Sequence, residues 1–142
     1  MPDIFHDFII KATPERVFDG VSKPKLLDEW WTKTSAGVPK VGEEYTLNFG
    51  PKYIWHGRVT KCVAPAEFEM EISNADEDWN GTRVGFRLSG EKTTTVSFYH
   101  TGWKKPSDNW RFSSFCWAMY LRILRRHLEH GESVLYERRL DV

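Results

Sequence analysis

The chain has 142 residues, of which 40% are hydrophobic and 15% aromatic, so it can bury a core of its own. Twenty basic residues balance twenty acidic ones, and this zero net charge provides no general attraction for nucleic acid. No apolar run approaches the roughly 20 residues that cross a membrane, and the charged residues within Met1 to Ile10 argue against a signal peptide.

The two cysteines, Cys62 and Cys116, lie far apart and form no metal-binding spacing. Two reduced thiols in a cytoplasmic protein are the simplest interpretation, and a disulfide between them is the less favoured alternative. The chain has no internal repeat and no linker-like segment rich in Pro, Gly or Ser. We therefore predict one domain over residues 1–142, with a core at about 3–130 and a tail at 131–142.

The beginning of the chain predicts a strand and two short helices. Ile4 to Lys11 places two alternating sets of side chains on opposite faces, as a strand does. Thr13-Pro14-Glu15 begins a helix, because threonine can cap it and proline suits its first turn. Pro24 begins a second short helix, which carries the pair Trp30-Trp31.

The middle of the chain predicts five strands after a loop at Lys33 to Gly42. The strand patterns cover Glu44 to Phe49, Ile54 to Val63, Glu67 to Ile72, Thr82 to Leu88 and Thr93 to Trp103. Their connections are short, with Asn80-Gly81 as the strongest hairpin signal, so neighbouring strands must be antiparallel. The acidic residues Asp76 to Asp78 indicate a solvated loop beside that hairpin.

A long aromatic helix, about Asp108 to His130, follows the strands. One stripe, which we expect to face the sheet, contains Trp110, Ser114, Trp117, Leu121, Leu124 and Leu128. A second apolar stripe on the other side contains Phe112, Phe115, Cys116, Met119 and Ile123. Gly131 ends the helix, and Val134 to Tyr136 is expected to form a short edge strand or to pack on a neighbour. The fold class is therefore α+β, with the helix lying against an antiparallel sheet.

Several short motifs occur in a characteristic order along the chain. They are Thr13 to Phe18 after the first strand, the pair Trp30-Trp31, Gly57 to Val59, Phe98 to Trp103 and the closing aromatic helix. Over about residues 3–130, this order resembles the START/SRPBCC superfamily. More narrowly, it is similar to the family named for the C-terminal domain of the activator of heat-shock protein 90 ATPase.

This resemblance implies a helix-grip fold. Such a fold is a curved six-stranded antiparallel sheet wrapped around a long C-terminal helix, with two short helices after the first strand. A cavity often lies between helix and sheet, where superfamily members bind lipids, hormones, polyketides and other apolar molecules. Some members are enzymes, and many that resemble this chain are bacterial proteins.

The predicted ligand site lies between the sheet and the long helix. We expect it to be lined by Trp30, Trp31, Trp55, Phe68, Met70, Phe86, Phe98, His100, Trp110, Trp117 and Leu121. Indole N–H groups and the histidine would provide the few polar contacts to a small apolar or aromatic molecule. The alternative is that these side chains fill a packed core, which leaves no room for a ligand.

His100 and His6 are the two candidates for a catalytic residue. Their strands are adjacent in the resembled fold, so both rings could face the concave side, where a histidine can act as a general base. The alternative for each is a core histidine bonded to a carbonyl or water. Because no catalytic partner, metal-binding spacing or cofactor motif accompanies them, we predict no metal and no cofactor. A binding protein is favoured over an enzyme of the cyclase, hydrolase or dehydratase kind.

The second stripe of the long helix supports a third hypothesis, an interaction or co-chaperone-like protein. Phe112, Phe115 and Met119 would form an exposed apolar patch, and such a patch usually marks an interface. The expected partner is a second copy of the chain, in a homodimer. Nucleic acid is not an expected partner.

Overall fold

In the computed structural model, which describes residues 2–142, one antiparallel sheet holds seven strands in the order β1-β7-β6-β5-β4-β3-β2. The strands are β1 Ile4–Ile10, β2 Thr34–Ala36, β3 Glu44–Asn48, β4 Ile54–Val63, β5 Glu67–Ser73, β6 Arg83–Gly90 and β7 Thr94–Thr101. The first and last strands are neighbours, with His6 opposite Phe98 and Ile4 opposite His100. The α+β class and the helix-grip arrangement are confirmed.

The sheet has one strand more than the six that the sequence predicts. β2 lies inside the segment predicted as a loop, where Thr34 to Ala36 pairs with Thr46 to Asn48 at the edge of the sheet. Three residues are too few to show the alternating pattern of a strand, and none of the three is a large apolar residue. The sequence therefore gives little local signal for β2, which depends on its pairing with β3.

Two short helices, α1 (Pro14–Ser22) and α2 (Pro24–Leu27), follow β1 as predicted. The pair Trp30-Trp31 was predicted to lie on the second helix, but α2 ends at Leu27 and the pair lies in the turn that follows, where both backbone N–H groups donate to the carbonyl of Leu27. The hydroxyl of Thr13 accepts a hydrogen bond from the backbone N–H of Arg16, and each helix has proline in its first turn. The buried side of α1 faces the sheet and the long helix, so these short elements close one end of the concave face.

The long helix α3 runs from Asp108 to His130, the bounds that the sequence predicts. The hydroxyl of Ser107 caps its start by accepting from the N–H of Trp110, and Gly131 ends it in the left-handed conformation with φ of 70°. Trp117, Leu121, Leu124 and Leu128 are buried, as predicted for the stripe that faces the sheet.

The segment after α3 forms a 3-10 helix, Tyr136–Asp141, rather than the edge strand that was one of its two predicted forms. It packs against α3 and is anchored by Arg139, which is buried. The Arg139 guanidinium donates to the carbonyl oxygens of Asp28 and Thr32, at 2.5 and 3.1 Å. This C-terminal 3-10 helix is therefore bound to the segment that follows α2.

The second stripe of α3 is only partly exposed. Ile123 is fully buried, and Met119, which was predicted to belong to an exposed patch, is also buried at 9% exposure. Phe112 and Phe115 remain 61% and 76% exposed. The prediction of an exposed Met119 was therefore wrong: this side chain belongs to the core cluster, and periodicity shows only that its side of α3 is apolar, not whether other elements cover it.

Within residues 2–142, no helix combines the length and the apolar character needed to cross a membrane.

Candidate ligand-binding cleft

A cleft of about 490 Å³ opens beside the N-terminal half of α3. Its walls come from α3, the β3–β4 hairpin, the β5–β6 loop and the C-terminal 3-10 helix. The lining residues are Trp31, Phe49, Tyr53, Trp55, Asp76, Trp79, Asn109, Phe112, Ser113, Cys116, Trp117, Tyr120, Tyr136 and Leu140. Nine of these fourteen side chains are aromatic, so the cleft presents mainly ring surfaces to a ligand.

Two buried indoles, Trp79 and Trp117, form the deep wall of the cleft. Their rings stack at 5.9 Å between centroids, and Trp31 contacts Trp117 at 5.1 Å on the other side. The Trp79 N–H donates to the hydroxyl of Ser113 at 3.1 Å, which ties the β5–β6 loop to α3. This hydrogen bond fixes the orientation of the ring that a ligand would contact.

His100 lies behind this wall and is fully buried. Its Nδ1 accepts from the Trp117 indole N–H at 3.0 Å, and its Nε2 is 2.8 Å from the hydroxyl of Thr82. Because that hydroxyl donates to the carbonyl of Trp79, Nε2 must carry the ring proton and donate to Thr82. Burial lowers the pKa of His100 to about 3, so the ring is neutral at physiological pH.

Both nitrogens of His100 are therefore occupied, and the ring does not line the cleft. A general base needs a free lone pair within reach of the substrate. In this geometry, the only lone pair of the neutral ring accepts the hydrogen bond from Trp117. His100 thus orients the deep wall and has no open path to a ligand in the cleft.

His6, the other histidine considered for catalysis, lies on the concave face outside the cleft. Its ring stacks on Phe98 at 6.1 Å between centroids, and its Nε2 is 3.3 Å from the carbonyl oxygen of Ser114 on α3. It lines a separate pocket of about 170 Å³ between β1 and α3, together with Leu121. His6 thus bridges the edge strand and the long helix.

The structure brings only part of the predicted ligand site to the cleft. Three of its eleven residues line the open volume: Trp31, Trp55 and Trp117. Leu121 lines the smaller pocket, and Trp110 is half-buried against the core. The other six are buried in the core: Trp30, Phe68, Met70, Phe86, Phe98 and His100. Ring contacts such as Trp30 on Phe86 and Phe86 on Phe98 fill the space between sheet and helix at that end.

Several lining residues were absent from the sequence prediction. Trp79 was missed because it follows the acidic residues of a loop that was expected to be solvated, although a tryptophan in such a loop is itself a signal of burial. Tyr136 and Leu140 were missed because no local pattern shows that the tail folds back. Phe112 had been assigned to a dimer interface, and the structure places it at the mouth of the cleft.

The polar end of the cleft is a connected network around Asn109. The Asn109 side-chain N–H group donates to Oδ2 of Asp76 at 3.1 Å and to Oδ2 of Asp78 at 3.2 Å. Its oxygen accepts from Ser113 at 3.2 Å. Asp76 also accepts from the backbone N–H of Trp79 at 2.8 Å. The network thus holds the β5–β6 loop in place against the first turn of α3.

Among residues 2–142, no group of three or more His, Cys, Asp and Glu side chains is arranged to hold a metal ion. Cys62 and Cys116 are free thiols, and burial raises the pKa of both. A raised pKa keeps each thiol protonated at neutral pH and makes it a poor nucleophile.

Residues 11–129 match the sequence profile of the family described as activator of Hsp90 ATPase homolog 1-like protein. The chain belongs to this family. The match covers most of the chain and confirms the resemblance drawn from the motifs. It ends before Gly131, so the C-terminal 3-10 helix and its two cleft residues, Tyr136 and Leu140, lie outside the matched region of this family member.

Solved structures agree with this assignment. A solution structure of the Aha1 dimer from Colwellia psychrerythraea is 30% identical, covers 94% of this chain and 100% of its own, and has a TM-score of 0.84. A crystal structure of a Mesorhizobium loti protein is 15% identical, covers 92% and 99% of the two chains, and has a TM-score of 0.80, which shows a shared fold. No curated protein matches the chain.

Proposed function

We propose that this family member binds a small apolar or aromatic molecule in the cleft beside α3. The observation that carries the proposal is an open volume of about 490 Å³ with nine aromatic side chains in its wall. Small-molecule sites commonly fall between about 300 and 1,000 Å³ and have mostly apolar walls with a few placed polar groups. The family fold supports a ligand-binding or polyketide cyclase-like protein in general.

The ligand would displace water from indole and phenol faces. Trp31, Trp79 and Trp117 are already buried and held against one another, so the deep wall needs little ordering when a ligand arrives. A preorganised wall loses less side-chain entropy on binding than a flexible one. Tyr53 and Phe112, which are exposed at the mouth, would become covered by a bound ligand.

Filling the cleft tests this proposal. Naphthylmethanol, a small neutral aromatic alcohol, serves as the probe ligand. Cys116→Phe places a ring where a half-buried thiol now lines the open volume. It should weaken the binding of this probe about tenfold, which equals about 1.4 kcal/mol. Cys62→Phe is the matched control, because Cys62 is also a half-buried free cysteine and does not line the cleft. Isothermal titration calorimetry on folded variants measures both. Equal affinity in both variants, or no binding to the native chain, would refute the proposal.

A second function, homodimer formation, is favoured by the two phenylalanines that stay exposed on α3. Phe112 and Phe115 lie one turn apart on the outer side of the helix, and each can bury a large apolar surface in an interface. The relative from Colwellia psychrerythraea is described as a dimer and covers 94% of this chain. We therefore place the dimer contact at Phe112 and Phe115, with Met119 excluded by its burial.

Sedimentation equilibrium tests the dimer with a matched pair of variants. Phe115→Ser should raise the dimer dissociation constant about tenfold or more, since one buried phenylalanine contributes about 1.5–3 kcal/mol. Phe5→Ser is the control, because Phe5 is exposed to a similar degree, at 64%, on the outer face of β1. A purely monomeric native chain at millimolar concentration would contradict the assignment, as would equal effects of the two substitutions.

No specific contact in the structure favours the enzyme or the co-chaperone hypothesis, so both stay predictions. A cytoplasmic location also stays a prediction, and the two free thiols, Cys62 and Cys116, are consistent with it.

A further inference from the structure

The cleft has few charged side chains, and they lie at one end. Among the described residues that line it, Asp76 is the only one with a charged side chain at neutral pH, and none is Lys, Arg or His. A second carboxylate, that of Asp78, shares the Asn109 side chain with Asp76 at the same end. The open volume therefore has an acidic end and no basic group in its wall.

Hydrogen-bond donors near this end already serve protein acceptors. The Trp79 and Trp117 N–H groups donate to Ser113 and to His100, so both deep indoles offer their ring faces to a ligand. The Ser113 hydroxyl donates to Asn109, whose own N–H group serves two carboxylates. At this end of the cleft, an anionic ligand would thus meet carboxylates and ring faces, because the nearby donors already serve protein acceptors.

Positive charge is present nearby, but it does not enter the cleft. Lys104 donates to the backbone carbonyl of Glu77 and is exposed. Arg139 lies over the Tyr136 ring, 5.3 Å from its centroid, but does not line the cleft, and its guanidinium donates to three backbone carbonyls. His100 is neutral, because burial lowers its pKa to about 3. None of these groups therefore places a positive charge in the wall of the cleft.

From these contacts we infer that the cleft selects aromatic molecules carrying an ammonium group over aromatic carboxylates of the same shape. This inference rests on the proposed function, because it names the ligand class of the same cleft. A cation is attracted by the negative faces of Trp and Tyr rings and by the carboxylate of Asp76. An anion of equal size is repelled by both.

Three probes with one ring system test the inference by calorimetry on the full chain. They are trimethyl(naphthylmethyl)ammonium, naphthylmethanol and naphthoate, which differ in charge and share the naphthalene ring. We expect the cation to bind about tenfold more tightly than the neutral alcohol, given cation–π and carboxylate attraction together, and the anion to bind more weakly than the alcohol. Binding of naphthoate as tight as that of the cation would overturn the selectivity and leave the aromatic site standing.

Asp76→Asn locates the source of the charge preference. It should reduce the preference for the cation over the alcohol about three- to fivefold, because the contribution of an exposed charge is modest. Glu77→Gln removes the same charge from the neighbouring residue, which does not line the cleft, and should change neither affinity. Equal losses in the two variants would assign the preference to general electrostatics and overturn the role of the cleft. If none of the probes binds, the proposed function fails together with this inference.

Discussion

The two halves of α3 meet the rest of the protein in different ways. In the C-terminal half, Leu124 and Leu128 lie against Gly20 of α1, where an added Cβ would come within 3.3 Å of a methyl group of each leucine. In the N-terminal half, Cys116 and Trp117 face an open cleft of about 490 Å³. The aliphatic side chains beside this glycine pack closely, whereas the rings at the other end of the helix border an open volume.

We call the C-terminal half of α3 the closed half and the N-terminal half, beside the cleft, the open half. Because of this difference, the closed half should contribute mainly to stability and the open half mainly to ligand binding. The closed half buries aliphatic side chains to near completion, as Leu124 shows with no exposed surface. The open half leaves Phe112 and Cys116 accessible at the cleft, where they contribute less to folding. We therefore expect substitutions in the closed half to lower stability most, and substitutions at the lip of the cleft to leave it nearly unchanged.

The largest expected effect comes from the closed half. Leu124→Ala should lower the free energy of unfolding by about 3 kcal/mol, because it removes a fully buried side chain from a close helix contact. Urea unfolding followed by far-UV circular dichroism measures this loss. A loss below about 1 kcal/mol would mean that the closed half repacks easily, and the proposed contrast between the halves would not hold.

The buried ring of His100, which accepts a hydrogen bond from Trp117 of α3, should make the stability of the protein depend on pH. Its folded pKa of about 3 lies below the unfolded value of 6.5, so the unfolded chain takes up a proton first as the pH falls. The neutral buried ring contributes to the free energy of unfolding. This contribution is fully present above pH 6.5 and is lost toward pH 3, at about 1.4 kcal/mol per pH unit.

His100→Gln isolates this contribution. The difference between native and variant stability should shrink by about 2 kcal/mol between pH 6.5 and 4.5, because the unfolded histidine goes from half-protonated to almost fully protonated over this range while the folded ring stays neutral. Urea unfolding of both proteins at the two pH values gives the comparison. Parallel pH profiles would show that His100 is not held neutral in the folded protein.

The smallest expected effect lies at the lip of the cleft. At a concentration where the chain is monomeric, Phe112→Ala should change the free energy of unfolding by about 0.5 kcal/mol or less, because the side chain is mostly exposed in the single chain. The same variant should weaken binding of naphthylmethanol, which separates the two roles of α3 in one protein. A loss of stability near that of Leu124→Ala would remove the contrast.

The sequence predicts the elements better than it predicts the cleft. The bounds of α3 follow from local signals, since Ser107 and Gly131 are a capping residue and a helix stop in ordinary positions. The cleft depends on two long-range events that leave no local pattern. One is the return of the tail, held by Arg139 on backbone carbonyls of a segment more than 100 residues earlier. The other is the inward turn of Trp79 from an acidic loop.

The difference between local and long-range signals also explains why some of the predicted ligand-site residues line the cleft while others are buried in the core. Periodicity shows which face of a strand or helix is apolar, and Phe68, Phe98 and Trp117 are all buried on that face as expected. It does not show whether the space between two apolar faces is filled. That depends on the shapes of opposing side chains, here the packed rings of Phe98 and Phe86 at one end and the stacked indoles at the other.

The seven tryptophans can report directly on whether a ligand binds beside the N-terminal half of α3. Four line the cleft: Trp31, Trp55, Trp79 and Trp117. Three lie elsewhere: Trp30, Trp103 and Trp110. In a ¹⁵N–¹H titration with naphthylmethanol, we expect the indole N–H signals of the first group to shift with saturation while those of the second group stay in place. Shifts confined to the second group, or no saturable shift in the first, would contradict this expectation.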